Sequence, residues 1–320
     1  MLLAITADFA SILDCQVVTT WDSRLGRFPL DEVTVIEVSS PIDEHRLFRE
    51  LSLDCDATLI IAPEFDGILA NRCRIFFSEH YTREQRFLGS SLKAIELCAD
   101  KLTTARHFLA NSIPTIKTLP FDPESIVPTF PYPLVIKPRY GAGSLNTDLI
   151  RNPDELDRAR TYLRSPNALL PVIQQPFVRG EAVSVAVIIS AQRKKVEVFP
   201  VSMQQLSDDG RFQYQGGSIP AGLDLRTNRS IEQSVRFACR SIPGLSGYVG
   251  FDFVIPEKAS GPPILIEINP RLTTSYLGYR LLTDENLAER LLSTELSLPS
   301  IQWKNSSLAF YPDGRIAIHG

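Results

Sequence analysis

No Cys-x-x-Cys pair, no closely spaced histidines, no surplus of basic residues and no long apolar run occur in this 320-residue chain. The five cysteines, Cys15, Cys55, Cys73, Cys98 and Cys239, are scattered and odd in number, which excludes a zinc ribbon or a paired disulfide framework and predicts free, mostly buried thiols. The four histidines, His45, His80, His107 and His319, lack paired metal spacing, and only His80 and His107 are candidates to line a cleft. Lys and Arg number 33 against 37 Asp and Glu, a formal charge of −4, and no basic run is interleaved with aromatics, so no nucleic-acid partner is expected. No apolar stretch approaches the roughly 20 residues that span a bilayer, so no membrane association is expected either. The run Met1 to Asp8 lacks a basic leader, meets an acid early and reads as a first buried strand rather than an export signal. A cytoplasmic location follows as the expectation.

Apolar residues at 44% and charged residues at 22% are ordinary for a globular chain of this length, which has room for two or three modest cores. From residue 1 to 97, short apolar runs at 2–6, 16–20, 33–38 and 57–62 alternate with helix-forming segments such as Ile42 to Leu53, the rhythm of an α/β unit with a parallel sheet. Its last run ends at Pro63-Glu64-Phe65-Asp66, where Glu64 and Asp66 lie beyond a strand's carboxyl end and could meet a substrate; Glu64 beginning the next helix is the plainer alternative. From about Leu92 to Val178 come a helix predicted over Leu92 to Ala110, a proline-rich linker from Pro120 to Pro133, the strand Leu134 to Lys137 and a helix over Pro153 to Arg164 capped by Asn152. From 179 to 320 a hairpin is predicted, Ala182 to Ile189 with Lys195 to Val201 around 190–194. A mobile polar loop over Leu206 to Pro220, a helix over Ser230 to Ile242, two further strands and a helix over Leu281 to Leu292 complete this section.

Three stretches carry chemistry. Asp252, Glu267 and Asn269 put hard oxygen donors at the ends of two apolar strands, a costly placement unless a cation sits between them. Glu267 and Asn269 are two apart, so on a regular strand both leave one face while Ile266 and Ile268 leave the other. Lys137 ends an apolar strand and runs into Arg139-Tyr140-Gly141-Ala142-Gly143-Ser144, where Gly141 and Gly143 free backbone N–H groups to approach phosphate and Ser144 adds a hydroxyl; an ordinary turn is the alternative. Gln175-Pro176-Phe177-Val178 could present main-chain groups to a base edge, with Glu181 accepting from ribose, or could be a plain interdomain linker.

In their order and spacing these parts resemble the ATP-grasp superfamily over Leu88 to Arg280. The resemblance implies an α/β (α+β) fold with an N-terminal parallel-sheet pre-ATP-grasp domain and two ATP-binding subdomains, divided at 1–97, 98–178 and 179–320. It implies that Lys101 and Lys137 contact phosphate and that Gly141, Gly143 and Ser144 belong to a lid. Gln175, Pro176 and Val178 would hold adenine, Glu181 ribose, and Asp252, Glu267 and Asn269 Mg²⁺ or Mn²⁺. Arg271, with Lys137, would act at the transferred phosphoryl group. The implied activity is ATP-dependent joining of a carboxylate to an amine through an acyl phosphate, which needs positioning and charge neutralisation rather than a Ser/His/Asp set. D-alanine:D-alanine ligases carry an arginine where this chain has Gly250. The run Asn269 to Gly278, with Ala62-Pro63-Glu64 and Leu88-Gly89-Ser90-Ser91, looks most like the tyramine–L-glutamate ligase group, which makes the amide of the methanofuran or methylofuran side chain. That likeness implies that Glu64, Thr273, Thr274 and Ser275 meet the amino-acid substrate. The implied partners are an amino acid and an amine, with a homodimer left open. Another ATP-grasp ligase, acting on a dipeptide, hydroxy acid or carboxyphosphate, and a nucleotide-binding regulator without turnover are the competing readings.

Overall fold

The computed structural model describes residues 1–79, 85–125, 127–165, 168, 171–190, 195–257, 261–293 and 299–319. In the N-terminal part, strand Val18–Asp22 pairs in parallel with Thr34–Val38, and Ala57–Thr58 pairs in parallel with Arg86–Phe87. Helices Pro41–Asp54 and Ile68–Glu79 connect them. Ser40 caps the first of these by accepting from the Asp43 N–H, with Pro41 in the first turn. The ladder of the predicted 57–62 strand ends at Thr58.

The first residues form a helix, Leu2–Ala10, and not the expected strand. Leucine and alanine favour helix, and Ile5 and Phe9, four apart, fall on one buried face; a short apolar run does not distinguish the two states by itself. Tertiary partners decide it. Asp8 accepts from the Arg280 guanidinium and, at 2.5 Å, from the Tyr276 hydroxyl, fixing the helix to the far end of the chain.

A four-stranded antiparallel sheet follows, in the order Leu119–Phe121, Val172–Pro176, Leu134–Pro138, Asp148–Ile150. Pro120 lies on its edge strand, where a missing N–H is tolerated. Helix Pro153–Leu163 buries Leu156 and Leu163 against Phe121, Leu134, Ile136 and Ile150. The segment read as one helix over 92–110 is two, Leu92–Ala99 and Lys101–Ala110, broken at Asp100. The Asp100 carboxylate accepts from the Leu102 and Thr103 N–H groups and so restarts the helix.

The largest sheet has eight strands among the described residues. Its path runs Ile264–Asn269, Gly247–Pro256, Gly180–Ile189, Ser202–Leu206, Tyr214–Ile219, Ser307–Phe310, Ile316–His319, with Val196–Val198 paired to Gly180–Ile189. The predicted hairpin is thus present, although its turn at 191–194 lies outside the described residues, as does His80. Residues 206–220 are not a mobile loop. Strands Ser202–Leu206 and Tyr214–Ile219 pair there, and a Cβ on Gly217 would stand 2.6 Å from the Met203 carbonyl oxygen, so this glycine serves close packing. Helix Leu225–Ser241, longer than expected and capped by Asp224, covers one face through Ile231, Val235 and Ala238. The expected 281–292 helix is replaced by two short ones, Tyr276–Tyr279 and Leu287–Leu292, the second capped by Asn286. Among the described residues no helix is long and apolar enough to cross a membrane.

Candidate active site

The small sheet and the large sheet face each other across a cavity of about 720 Å³. Its lining includes every residue singled out from the sequence as catalytic, nucleotide-binding or metal-binding, together with Thr273, Thr274 and Ser275. Glu64 is the exception. It is buried behind the wall and reaches the site through Arg271, whose Nε donates to Glu64 Oε2 at 2.5 Å. Asp66 is exposed in the turn Phe65–Gly67 and takes no part, and His107 points away, its Nε2 3.1 Å from Ser241 Oγ.

One half of the cavity is charged. Asp252 and Glu267 are cross-strand partners, with Lys101 Nζ 3.8 Å from Glu267 Oε1. Lys137 is buried on the facing strand, and burial above all pushes its ammonium down to about 8, with Lys101 adding to the effect and Glu267 opposing it. Burial first, and then repulsion from Glu267, raise Asp252 to about 7, although Asn269 Nδ2 and Gln204 Nε2 donate to its two oxygens at 2.8 and 2.9 Å. Two carboxylates left in this state are what a divalent cation would relieve. Among the described residues no three His, Cys, Asp or Glu side chains cluster as ligands. Mg²⁺ fits such an incomplete set, because it keeps waters and phosphate oxygens in its shell. Asn269 as oriented gives its nitrogen to Asp252 and turns Oδ1 toward Arg271 Nη2 at 3.4 Å, so it would offer the ion an oxygen only with the amide flipped.

The strand does not alternate as expected. A bulge between Asp252 and Phe253 pairs Asp252 with Glu267 but Phe253 with Leu265, so Ile266 is the extra residue and lines the cavity beside Glu267. The other half of the cavity is apolar, walled by Ile116, Val135, Met203, Leu206 and Ile266. The hinge crosses it: Gln175, its Nε2 on Thr118 Oγ1 at 2.7 Å, and Pro176 end their strand of the small sheet, Val178 follows, and Glu181 is the second residue of strand Gly180–Ile189 in the large sheet. In the glycine-rich loop Gly141 and Gly143 adopt φ of +115° and +72°, which makes glycine the natural residue there, and Lys101 Nζ donates to the Gly141 carbonyl.

Several site residues were not picked out from the sequence. Gln204 holds Asp252, and nothing local marks it. Tyr248 OH lies 3.1 Å from Thr273 Oγ1, which is 2.8 Å from Ser275 Oγ, a hydroxyl cluster at the cavity end. Gly250 leaves room for it, since a Cβ there would stand 2.6 Å from Thr273 Cγ2. Asp100 is the third. Arg139 of the loop binds it in bidentate fashion at 2.7 and 2.5 Å, tying the loop to the helix that carries Lys101. Burial acts to raise the Asp100 carboxyl, but the bonds from Arg139 and Thr103 outweigh it and hold it at about 2, against an ordinary 3.8. A depressed carboxyl contributes stability above its unfolded value and loses it as pH falls through the folded one. Asp100→Asn keeps the cap and deletes the charge, so it is expected to remove about 1–2 kcal/mol of stability at neutral pH and to flatten the fall in melting temperature between about pH 4 and 2. Melting curves of both proteins across that range check this.

An ATP-grasp domain model matches residues 98–275, more than half of the chain, and a pre-ATP-grasp domain model matches 15–95. The chain belongs to the ATP-grasp family. Among relatives, the tyramine–L-glutamate ligase of Methanocaldococcus fervens is 30% identical over 81% of this chain and 70% of its own length. The D-alanine–D-alanine ligase of Polaromonas naphthalenivorans is 25% identical over 57% of this chain and 59% of its own. Among solved structures, an L-amino acid ligase from Bacillus licheniformis superposes with a TM-score of 0.74 at 17% identity, covering 96% of this chain and 76% of that one. This ATP-grasp protein is an ATP-dependent ligase that joins a carboxylate to an amine. Enzymes of the fold work with ATP and Mg²⁺ in general.

Proposed function

We propose that this ATP-grasp ligase forms the amide between an amino acid, with L-glutamate the first candidate, and an arylalkylamine such as tyramine, in the cytoplasmic assembly of a methanofuran-type or methylofuran-type one-carbon cofactor. The observation that carries the reading is the meeting, in one cavity, of Lys101 and Lys137 with the Asp252–Glu267 pair, and of Arg271 with the Thr273–Ser275 hydroxyls. The 30% identity to a tyramine–L-glutamate ligase supports the choice of substrates. In this reading residues 1–97 back the acid-binding end, 98–178 supply the lid and 179–320 the metal platform. Gln175, Pro176 and Val178 take the base and Glu181 the ribose. Lys101, Lys137 and the Gly141–Ser144 loop take the phosphates, and Asp252 and Glu267, with Asn269 once its amide is flipped, would hold Mg²⁺, which would supply charge neutralisation at the phosphates.

A substrate carboxylate oxygen attacks the γ-phosphorus and ADP leaves; the amine nitrogen then attacks the acyl carbon, phosphate leaves and the nitrogen loses a proton. Arg271, fixed by Glu64, orients the carboxylate and offsets its charge, while Lys137 does the same at the transferred group. The test is ADP release with glutamate and tyramine together and with each alone, and mass detection of the amide. Release that requires both supports the proposal. No stimulation across a panel of acid and amine pairs would overturn it in favour of a regulator, and stimulation by other pairs alone would replace the substrates.

A further inference from the structure

The stretch that carries the cavity's hydroxyls is held from behind by a residue at the other end of the chain. Asp8, on helix Leu2–Ala10, accepts from the Tyr276 hydroxyl at 2.5 Å and takes the Arg280 guanidinium on both of its oxygens, with Nε 2.9 Å from Oδ2. These two donors bracket the helix Tyr276–Tyr279, which follows Ser275 without a break. The Tyr276 and Gly278 N–H groups close turns onto the Thr273 and Ser275 carbonyls at 3.0 Å each, so the place of Tyr276 sets the place of the hydroxyl-bearing residues. A second route runs through aromatic rings. Tyr276 meets Tyr248 edge-on, with centroids 5.9 Å apart and planes at 71°, and the Tyr248 hydroxyl stands 3.1 Å from Thr273 Oγ1 and 3.4 Å from Ser275 Oγ. Tyr276 is fully buried in the cluster that also holds Ile5, Phe9, Tyr248 and Leu272. A Cβ on Gly278 would stand 2.9 Å from Cδ1 of both Ile219 and Leu308, so this segment is packed close on the large sheet. Thr273, Thr274 and Ser275 line the cavity, whereas Asp8, Tyr248 and Tyr276 do not. Asp8, Tyr276 and Arg280 also lie outside residues 15–95 and 98–275, the stretches that the two family models match.

We propose that Asp8 is a positioning residue for the acid substrate: it fixes Tyr276 and Arg280 and, through them, the direction in which the Thr273 and Ser275 hydroxyls enter the cavity. The inference rests on the reading that these hydroxyls meet the amino acid. A hydroxyl recognises a charged group only at close range and in a narrow range of angles, so a small displacement of its backbone loses the contact. The N-terminal helix thereby acts on the site without lining it.

The test measures ADP release by the full chain with L-glutamate varied at saturating tyramine, ATP and Mg²⁺, in the parent, Asp8→Asn, Tyr276→Phe and the double variant. If another acid and amine pair drives release, that pair takes their place. In each single variant kcat/KM for the acid is expected to fall about 10–100-fold, chiefly through KM, while the KM for ATP stays within about twofold of the parent. Both changes cut one path, so the double variant is expected to lose much less than the product of the single losses. Tyr276→Phe leaves the Asp8–Arg280 pair in place and carries the comparison alone should Asp8→Asn not fold. A lowered melting temperature with the acid KM unchanged, equal rises in both KM values, or a double loss equal to the product overturns the proposal. Thr273→Val keeps the shape and deletes the hydroxyl, and it tests the reading beneath. If Thr273→Val raises the acid KM and the Asp8 and Tyr276 variants do not, only the proposal falls. If Thr273→Val leaves the acid KM unchanged, the hydroxyls do not meet the acid and both fall, as they do if the parent releases ADP with no acid and amine pair.

Discussion

Replacing Glu267 with alanine is expected to lower kcat by at least about 10²–10³-fold while leaving the melting temperature unchanged or slightly higher. The activity loss follows from geometry. Glu267 is the cross-strand partner of Asp252 and lies 3.8 Å from Lys101 Nζ, so in the proposed reading it would contribute both to holding a cation and to placing a phosphate-facing ammonium. The stability outcome follows from electrostatics. Glu267 is the largest like-charge influence on Asp252, and removing one of two neighbouring carboxylates relieves repulsion that folding otherwise has to overcome. An ordinary structural carboxylate would behave in the opposite way, with stability falling and turnover surviving. Steady-state rates at saturating Mg²⁺, read together with the melting temperature of the metal-free protein, separate the two. Wild-type turnover in the variant sinks the metal assignment.

Residues whose meaning is local were legible from the sequence, and residues whose meaning depends on distant partners were not. The donors Asp252, Glu267 and Asn269, the Lys137-to-Ser144 loop and the hinge at Gln175 announce themselves because an unusual polar residue or a glycine interrupts an apolar strand. The structure brings all of them to one cavity. The Asn152 cap was equally readable, since it follows from one residue's backbone chemistry, whereas Pro120, expected in a linker, lies in the edge strand Leu119–Phe121, a place only the sheet's strand order reveals. The N-terminal helix was misread because Leu2 to Ala10 supports either state until Asp8 finds Arg280, 272 residues away. The bulge at Ile266 was invisible because register is a property of two strands. Strand 214–219 falls in the stretch 206–220 that reads as a mobile loop because Gly216 and Gly217 suggest mobility, whereas the close approach of Met203 and Phe310 is what requires glycine there. Gln204, Tyr248 and Asp100 belong to the same class. Each acts through a partner that only the fold supplies.

The pair Glu64–Arg271 is expected to give the second large effect, and to give it in two separable ways. Glu64 Oε2 holds Arg271 Nε at 2.5 Å, and the two side chains are 5% and 16% exposed, so this is a buried pair linking the N-terminal part of the chain to the end of strand Ile264–Asn269. Burial raises the Glu64 carboxyl and Arg271 opposes the rise, while Oε1 is buried without a hydrogen-bond partner among the described residues. Glu64→Ala leaves Arg271 buried without its counter-ion, and breaking such a pair from one side costs about 3–5 kcal/mol. For a chain of this size that corresponds to a fall in melting temperature of roughly 5–10 °C. Glu64→Gln keeps an acceptor for Nε and most of the packing, so stability is expected to fall by a smaller amount. Its kinetic signature is expected to be sharper: a raised KM for the acid substrate and a lowered kcat, with the KM for ATP within about twofold of the parent. Glu64 lies behind Arg271 and does not line the cavity, so in the proposed reading only the carboxylate that Arg271 would orient should feel the change. Equal changes in both KM values would mean that the pair merely holds the cleft together. An unchanged KM for the acid beside a lowered melting temperature would mean that Arg271 does not face that substrate at all.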